Sequence, residues 1–284
     1  MPKDRSVTVG DVKIHYTESG SGPTLVFVHG AYVTGSLWDD VIGRLSADFR
    51  CIAPTWPFGA QSTPAGAADL GVAAAGRRIV GLLEMLDLRD VTLITNDTGG
   101  GIVLAALGNP ALDFGRVSRL VFTNCDSYEH FPPKSFAPIV KLCGSSARAG
   151  AVVMRALATG PGRSFFASAV TRHGIPTDRQ PAIFGGFMTS SAVRREAVRF
   201  SADLNPRYTL ATASAITEWN KPALIAWGTE DKMFPVTHAQ RLAEAFPKGE
   251  LRTIDDSSTY VMLDQPDELA SAVTDFVRKS QCSR

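Results

Sequence analysis

The sequence comprises 284 residues, of which 44% are hydrophobic and 20% charged, and its formal net charge is +1. This length allows one large α/β domain or two small ones, and the composition allows a sizeable core. The balanced charge argues against binding to nucleic acid or to an acidic membrane surface. Residues 1–10 lack the apolar stretch of a signal peptide, and the four cysteines form neither a CxxC pair nor a metal-ligand spacing. We therefore expect a reduced, cytoplasmic protein without a metal ion or other cofactor.

Apolar segments of two lengths alternate along the chain. The run at 24–30 is continuously apolar up to its final glycine, which is typical of a strand buried on both faces. The segment 69–86 instead repeats its apolar residues at a helical period. Strands are predicted at 12–16, 24–30, 51–54, 91–95, 119–124, 222–228 and 250–254, and helices at 69–86, 100–107, 236–246 and 267–278. The alternation predicts the α/β class, with a mostly parallel sheet flanked by helices.

The middle of the chain has a different pattern. From residue 129 to about 215 it contains no convincing strand, and its small apolar and Arg-rich stretches favour short helices. We predict a helical cap at 129–215, inserted into a core that is formed by 1–128 and 216–284.

Ionisable side chains occur just after strands that are far apart in the sequence. Such sheets bind ligands at the carboxyl ends of their strands, which meet at one rim. We therefore expect the site to contain His29, Asp97, Asp126, Asp231 and the segment 255–260.

Residues 95–99 (TNDTG) lie between a predicted strand and a predicted helix. They match the G-x-S-x-G frame of a nucleophile elbow, a tight strained turn that presents the nucleophile above the sheet. Asp97 takes the place of the nucleophile, and only Thr95 departs from the frame. Gly100 and Gly101 allow the helix to pack closely on the sheet.

The sequence around Asp97 also allows two other interpretations. An aspartate before a helix is commonly an N-cap that binds backbone N–H groups. The glycine triplet also suggests a phosphate loop, but neither G-x-G-x-x-G nor G-x-x-x-x-G-K fits the segment.

Four further segments, in the expected order, support the elbow. With it they make the chain resemble the α/β-hydrolase superfamily over nearly its full length. Residues 26–30 resemble the HG segment of the oxyanion hole, and residues 53–64 resemble the loop that usually has the pattern D-x-x-G-x-G-x-S. Residues 226–235 resemble the late-acid motif, and residues 255–269 resemble the terminal motif.

The resemblance implies roles for several residues. An aspartate at the elbow is similar to the haloalkane dehalogenases and soluble epoxide hydrolases, in which the carboxylate attacks carbon and a histidine-activated water then hydrolyses the ester. It implies that the backbone N–H groups of Ala31 and Thr98 form the oxyanion hole and that Asp231 is the triad acid. We expect four side chains near the motifs or in the cap to bind substrate, namely His29, Tyr32, Trp56 and Tyr208.

The chain departs from this family where the catalytic histidine is expected. Thr259 occupies that position, and no histidine follows His238. A threonine hydroxyl is a poor base near neutral pH. An ester at Asp97 would therefore lack its usual hydrolytic base. Thr98 also replaces the tryptophan that binds halide in dehalogenases.

Two residues after the strand 119–124 have alternative roles. His130 is a candidate replacement base if it leans over Asp97, and otherwise a hinge residue bonded to backbone. Asp126 is either a capping residue at the point where the chain enters the predicted helical insert, or the triad acid that some family members place after this strand.

Three functions remain open from the sequence. The first is an enzyme on a small organic substrate, with Asp97 as general base or nucleophile in a cyclisation, elimination, isomerisation or ring opening. The second is a dehalogenase-like or epoxide-hydrolase-like enzyme with His130 as a relocated base. The third is a catalytically silent ligand-binding protein. The expected partner is a small molecule, and a homodimer is left open.

Overall fold

The computed structural model describes residues 2–282 and contains an eight-stranded sheet in that part of the chain. The sheet order is β1-β2-β4-β3-β5-β6-β7-β8. β2 pairs antiparallel with β1 and β4, and the remaining neighbours are parallel. The strands are β1 (Lys3–Val9), β2 (Val12–Ser19), β3 (Thr24–Val28), β4 (Arg50–Thr55), β5 (Val91–Asp97), β6 (Val117–Cys125), β7 (Ala223–Gly228) and β8 (Gly249–Ile254). The predicted α/β class with a mostly parallel sheet is confirmed.

Helices flank this sheet. Those of the core are α1 (Asp39–Leu45), α2 (Val72–Met85), α3 (Thr98–Leu107), α11 (Val236–Ala245), α12 (Val261–Asp264) and α13 (Pro266–Cys282), with a short 3₁₀-helix at Gly35–Trp38. Those between β6 and β7 are α4 (Ala137–Ser145), α5 (Ala147–Leu157), α6 (Gly160–Val170), α7 (Gln180–Thr189), α8 (Ser191–Ala202), α9 (Pro206–Leu210) and α10 (Ala213–Glu218). We refer to α4–α10 as the helical insertion. The predicted cap boundary after residue 215 falls inside α10. Within residues 2–282, none of the helices is long and apolar enough to cross a membrane.

The central strands are buried on both faces. Every residue of β5 is buried, and its β-branched residues suit a strand covered by helices. β1 was not predicted. It is an edge strand whose first four residues are exposed, so its sequence lacks an apolar pattern.

Buried carboxylates attach the helical insertion to the core. Glu196 of α8 accepts hydrogen bonds from the backbone N–H groups of Ala65 and Gly66, at 2.9 and 2.7 Å. Asp264 of α12 accepts one from the backbone N–H of Arg172, which follows α6, at 2.9 Å. These contacts hold the insertion over the carboxyl ends of the strands, where ligands bind in such sheets.

Candidate active site

Asp97 lies where β5 turns into α3, and its backbone is strained. Its φ of 52° and ψ of −133° are unusual for a residue with a side chain, as expected at a nucleophile elbow. The glycines that follow permit the tight turn. A Cβ on Gly99 would lie 2.5 Å from the backbone oxygen of His29, and one on Gly100 would lie 2.4 Å from the Cβ of Cys125.

The Asp97 carboxyl group is buried, with only 8% of the residue exposed. Burial raises its pKa to about 7, and the negative charge of Asp231 adds to this effect. The backbone N–H groups of Thr98 and Ala31 lie close to the carboxyl group and partly offset this increase by lowering the pKa. The carboxyl group is also pressed against Gly30, where a Cβ would lie 2.0 Å from Oδ2 of Asp97. The N–H groups expected to form an oxyanion hole are therefore directed at Asp97 itself.

Asp231, after β7, accepts a full set of hydrogen bonds. Its Oδ2 accepts from the Thr259 hydroxyl at 2.8 Å and from the Asn124 amide at 2.9 Å. Its Oδ1 accepts from the backbone N–H groups of Met233 and Phe234, at 2.7 and 3.0 Å. Burial raises the pKa of Asp231, while these four donors lower it. The structure thus brings together Asp231 and Thr259, two residues singled out in the sequence.

Two asparagines that the sequence analysis missed connect this rim. The side-chain amide of Asn96 donates to the backbone oxygen of Thr259 at 2.7 Å and to that of Asn124 at 3.1 Å. Asn124 in turn donates to Asp231. The position of Asn96 inside the elbow frame was visible in the sequence, but its partners were not.

Asp126 is fully buried after β6, and within residues 2–282 neither of its carboxyl oxygens has a hydrogen-bond partner. Burial raises its pKa well above the ordinary value, and the charge of Asp97 adds to the increase. The Thr98 hydroxyl is close enough to lower the pKa slightly, although it lies outside ordinary hydrogen-bond geometry. The Asp126 backbone N–H donates to the carbonyl oxygen of Asp97 at 3.4 Å. Burial therefore favours the protonated form of Asp126 beside the elbow.

A small cavity of about 20 Å³ opens at Asp97, enough for roughly one water molecule. Ala31 and Thr98 line it together with Asp97. The remaining lining residues are apolar and come mainly from the chain between β6 and β7, namely Pro133, Phe136, Phe166, Val170, Leu204 and Met233. Asp97 therefore faces an apolar and nearly closed space.

His130 has its contacts elsewhere. Its ring stacks on that of His238 with centroids 4.2 Å apart, and its Nε2 lies 3.5 Å from the Glu129 carboxylate. Among the described residues, no hydrogen bond or ion pair joins His130 to Asp97. The chain between β6 and α4 turns His130 towards α11 rather than over Asp97, where a replacement base would have to lie.

The side chains of His29 and Trp56, which we expected to contact substrate, instead form hydrogen bonds with backbone groups of the core. The fully buried His29 ring donates from Nδ1 to the backbone oxygen of Gly30 and accepts at Nε2 from the backbone N–H of Trp56, both at 2.8 Å. Burial lowers the pKa of His29 to about 4, so the ring is neutral. The Trp56 indole donates to the backbone oxygen of Phe27 at 3.0 Å.

The two tyrosines singled out in the sequence also have partners within the protein. The Tyr208 hydroxyl donates to the Asp203 carboxylate at 2.9 Å, outside the Asp97 cavity. The fully buried Tyr32 hydroxyl donates to the Ser201 hydroxyl at 2.5 Å, because Ser201 donates its own proton to the backbone oxygen of Ala197. Neither hydroxyl is available to a ligand without breaking a bond.

The site contains no metal centre that the described residues could form. Within residues 2–282, no group of three or more His, Cys, Asp or Glu side chains is arranged to hold a metal ion.

A family model described as "Alpha/beta hydrolase family" matches residues 25–272. The chain is 26% identical over 272 residues to haloalkane dehalogenase 2 of Mycobacterium tuberculosis (strain ATCC 25618 / H37Rv), covering 92% of this chain and 90% of the relative. It is also 26% identical over 304 residues to a cis-3-alkyl-4-alkyloxetan-2-one decarboxylase of Xanthomonas campestris pv. campestris, covering 98% and 96%.

Solved structures share the fold at lower identity. Haloalkane dehalogenase DbeA from Bradyrhizobium elkani USDA94 superposes with a TM-score of 0.83 at 15% identity, covering 100% of both chains. A thermophilic esterase from Thermogutta terrifontis superposes with a TM-score of 0.74 at 17% identity, covering 98% of this chain and 99% of the other. These similarities establish the α/β-hydrolase fold.

Proposed function

The chain belongs to the alpha/beta hydrolase family, and on this premise we propose that it is an enzyme that acts on a small organic substrate through Asp97. Asp97 serves as a general base, or as a nucleophile from the same position. The reaction is a proton transfer, cyclisation, elimination or ring opening that uses no hydrolytic water. The cavity is apolar, so it favours the organic part of such a substrate.

The observation that carries the proposal is a buried carboxyl group at the elbow with a pKa of about 7. A general base works best when its pKa lies near the operating pH, because it is then both available and strong enough to take a proton. The strained backbone of Asp97 holds this group over the sheet. An N-cap role is not supported, since its side chain makes no capping hydrogen bond to α3.

The state of Thr259 supports a reaction without hydrolysis. Its hydroxyl donates to Asp231 at 2.8 Å, which is the contact that a catalytic histidine makes with its acid. A threonine there satisfies Asp231 but does not activate water. Because general base catalysis contributes about 10²- to 10⁴-fold, an Asp97 ester is expected to hydrolyse slowly.

The name of one relative also supports a reaction without hydrolysis. One of them is named for the decarboxylation of an oxetan-2-one, which is not a hydrolysis, and it matches 98% of this chain. A fold of this family therefore accommodates non-hydrolytic chemistry.

A substrate panel with and without Asp97 tests the proposal. Ketones, β-lactones, epoxides and haloalkanes are incubated in ¹⁸O-labelled water, and the products are analysed by NMR and mass spectrometry. We expect Asp97→Asn to lower turnover by about 10²- to 10⁴-fold and Asp113→Asn, at an exposed residue, to leave it unchanged. The product is expected to contain no ¹⁸O from water.

Three results would contradict the proposal. Turnover that survives Asp97→Asn removes the role of Asp97. Incorporation of ¹⁸O indicates a hydrolase. Tight binding that is unaffected by Asp97→Asn, with no product from any compound, indicates a ligand-binding protein.

A further inference from the structure

We propose that the hydroxyl group of Tyr260 donates a hydrogen bond to a substrate oxygen on which negative charge develops while Asp97 reacts. This inference rests on the proposed function and specifies its substrate class. The substrate is a carbonyl compound or an oxygen heterocycle such as a lactone or epoxide, and not an alkyl halide.

The first observation is that the Tyr260 hydroxyl has no partner within the protein. The residue is fully buried, and within the described chain no group hydrogen-bonds to its hydroxyl. Buried tyrosine hydroxyls usually find a partner, as the Tyr32 hydroxyl does with Ser201. The natural partner of Tyr260 is therefore a molecule other than the protein.

The second observation is the position of Tyr260 beside the cavity. Its ring centroid lies 6.2 Å from that of Phe166, and its backbone N–H donates to the backbone oxygen of Val170 at 2.8 Å. Phe166, Val170 and Asp97 all line the cavity. The charge of Asp97 also reaches the hydroxyl, where it adds to the effect of burial in raising the pKa of Tyr260.

The segment that carries Tyr260 is held firmly. The backbone oxygen of Thr259 accepts from Asn96 at 2.7 Å, and its side chain donates to Asp231 at 2.8 Å. Asn96 precedes Asp97 in β5. The hydroxyl donor and the carboxylate are therefore positioned by the same network, as preorganised catalytic groups require.

A third observation explains why another donor is needed. In hydrolases of this fold, backbone N–H groups at the elbow stabilise the oxyanion of the substrate. Here the backbone N–H groups of Thr98 and Ala31 lie close enough to the Asp97 carboxyl group to lower its pKa. A substrate oxygen must therefore receive its hydrogen bond from a different donor, and Tyr260 provides one.

Both reactions considered for Asp97 move an electron pair onto a substrate oxygen, which is the atom that the Tyr260 hydroxyl would contact. When Asp97 removes a proton from the carbon next to a carbonyl group, the C–H pair forms a C=C bond and the carbonyl π pair moves to oxygen. Tyr260 stabilises that oxygen and keeps its own proton, because burial and the charge of Asp97 raise its pKa. In a β,γ-unsaturated carbonyl compound the enolate is conjugated with the neighbouring C=C bond, so Asp97 returns the proton to the γ carbon. The C=C bond then shifts to the α,β position and the carbonyl group re-forms, so no co-reactant is needed. When Asp97 instead attacks a ring carbon, the pair of the broken C–O bond moves to the ring oxygen.

The test compares Tyr260→Phe with Tyr16→Phe, a control in β2 outside the lining of the cavity. Each variant is incubated with an alkyl β-lactone or with a bromoalkane of equal chain length, and adducts on Asp97 are followed by mass spectrometry of the denatured protein. We expect Tyr260→Phe to slow adduct formation with the lactone by about 10²- to 10³-fold, as for loss of an oxyanion donor. The rate with the bromoalkane is expected to change less than about threefold, because a halide leaving group accepts hydrogen bonds weakly.

Equal slowing with both probes, or no slowing with the lactone, would overturn the role of Tyr260. A melting temperature that falls in Tyr260→Phe but not in Tyr16→Phe would also overturn it, because the hydroxyl would then have a structural partner.

A binding measurement separates this proposal from the proposed function. In an Asp97→Asn background, the affinities for cyclohexanone and for methylenecyclohexane are compared with and without Tyr260→Phe. We expect about tenfold weaker binding of the ketone and unchanged binding of the alkene, which corresponds to one hydrogen bond of about 1.4 kcal/mol. An unchanged ketone affinity overturns the Tyr260 assignment. If wild-type protein forms no Asp97 adduct with either probe, the reactivity of Asp97 fails, while the ketone difference still decides the role of Tyr260.

Discussion

Asp97 ends β5 and Asp231 follows β7, and both carboxyl groups are buried at the same edge of the sheet. Burial raises the pKa of both. Their surroundings differ. Asp231 accepts four hydrogen bonds, two from backbone and two from side chains. Asp97 has only the nearby N–H groups of Thr98 and Ala31, which lower its pKa, and the neighbouring Asp126 has no hydrogen-bond partner among the described residues.

This difference separates a structural carboxylate from a reactive one. A carboxylate with all its lone pairs occupied is stable and has little left to offer a substrate. Buried polar groups without partners are costly and are therefore uncommon unless they have a use. The Asp231 side of the site holds the segment 257–260 through Thr259, whereas on the Asp97 side the Asp126 carboxyl group and the Tyr260 hydroxyl have no partner among the described residues.

The largest expected effect is on the rate of ester hydrolysis, when a histidine base is placed beside Asp231. Thr259→His places an imidazole next to Asp231, and we expect it to accelerate hydrolysis of an Asp97 ester by about 10²- to 10⁴-fold. The measurement is the loss of the ester mass from protein treated with a bromoalkane. Thr259→Val serves as the control, since it removes the hydroxyl without adding a base. Wild-type protein that already releases the ester rapidly would contradict the proposed role of Thr259.

The next effect concerns the stability of the Asp97 side. The pKa of Asp97 is raised from 3.8 to about 7, so folding favours its protonated form. Its contribution to stability is fully present below pH 4 and is lost as the pH rises towards 7. Three pKa units correspond to about 4 kcal/mol, which is the upper limit for the gain expected from Asp97→Asn at pH 8.

Urea denaturation at pH 4 and pH 8 measures this gain, with Asp113→Asn as the matched control. The difference between Asp97→Asn and wild type is expected to vanish at pH 4. A variant that is equally stable relative to wild type at both pH values would show that the pKa of Asp97 is not raised.

A pair of substitutions then compares the two kinds of carboxyl group directly. Asp231→Asn turns an amide donor towards Asn124 and Thr259, and we expect a loss of about 2 to 3 kcal/mol in the free energy of unfolding. Asp126→Asn is expected to change it by less than about 1 kcal/mol at pH 7, because burial favours the neutral carboxyl group and its oxygens have no hydrogen-bond partner among the described residues. Equal losses in chemical denaturation would remove the distinction between the two.

The smallest effect is expected for His130. His130→Ala removes a ring that stacks on His238 and adjoins Glu129. Turnover of whichever substrate the panel identifies is expected to change less than about twofold, because a base must lie within hydrogen-bond reach of the proton that it takes. Loss of turnover in this variant would instead support a hydrolase with a relocated base.

The sequence alone determined seven of the eight strands of the described sheet, the elbow and the departure at Thr259. The central strands were recognisable because burial on both faces requires apolar residues throughout, as in β5. The elbow was recognisable because a tight turn against the sheet requires small residues at fixed spacing, as at Gly99 and Gly100. Both requirements act between near neighbours in the chain, so they leave a local pattern.

Only the tertiary structure decided which polar groups have partners. His29 and Trp56 lie in the expected loops, yet their side chains turn into the core, and a motif does not specify that direction. The contact of Thr259 with Asp231 and the free hydroxyl of Tyr260 depend on groups that are distant in the sequence. Hydrogen-bond satisfaction is a property of packing between distant segments, because each donor competes for whichever acceptors the fold brings within about 3 Å. For that reason the sequence identified Asp97, but the structure identified Tyr260.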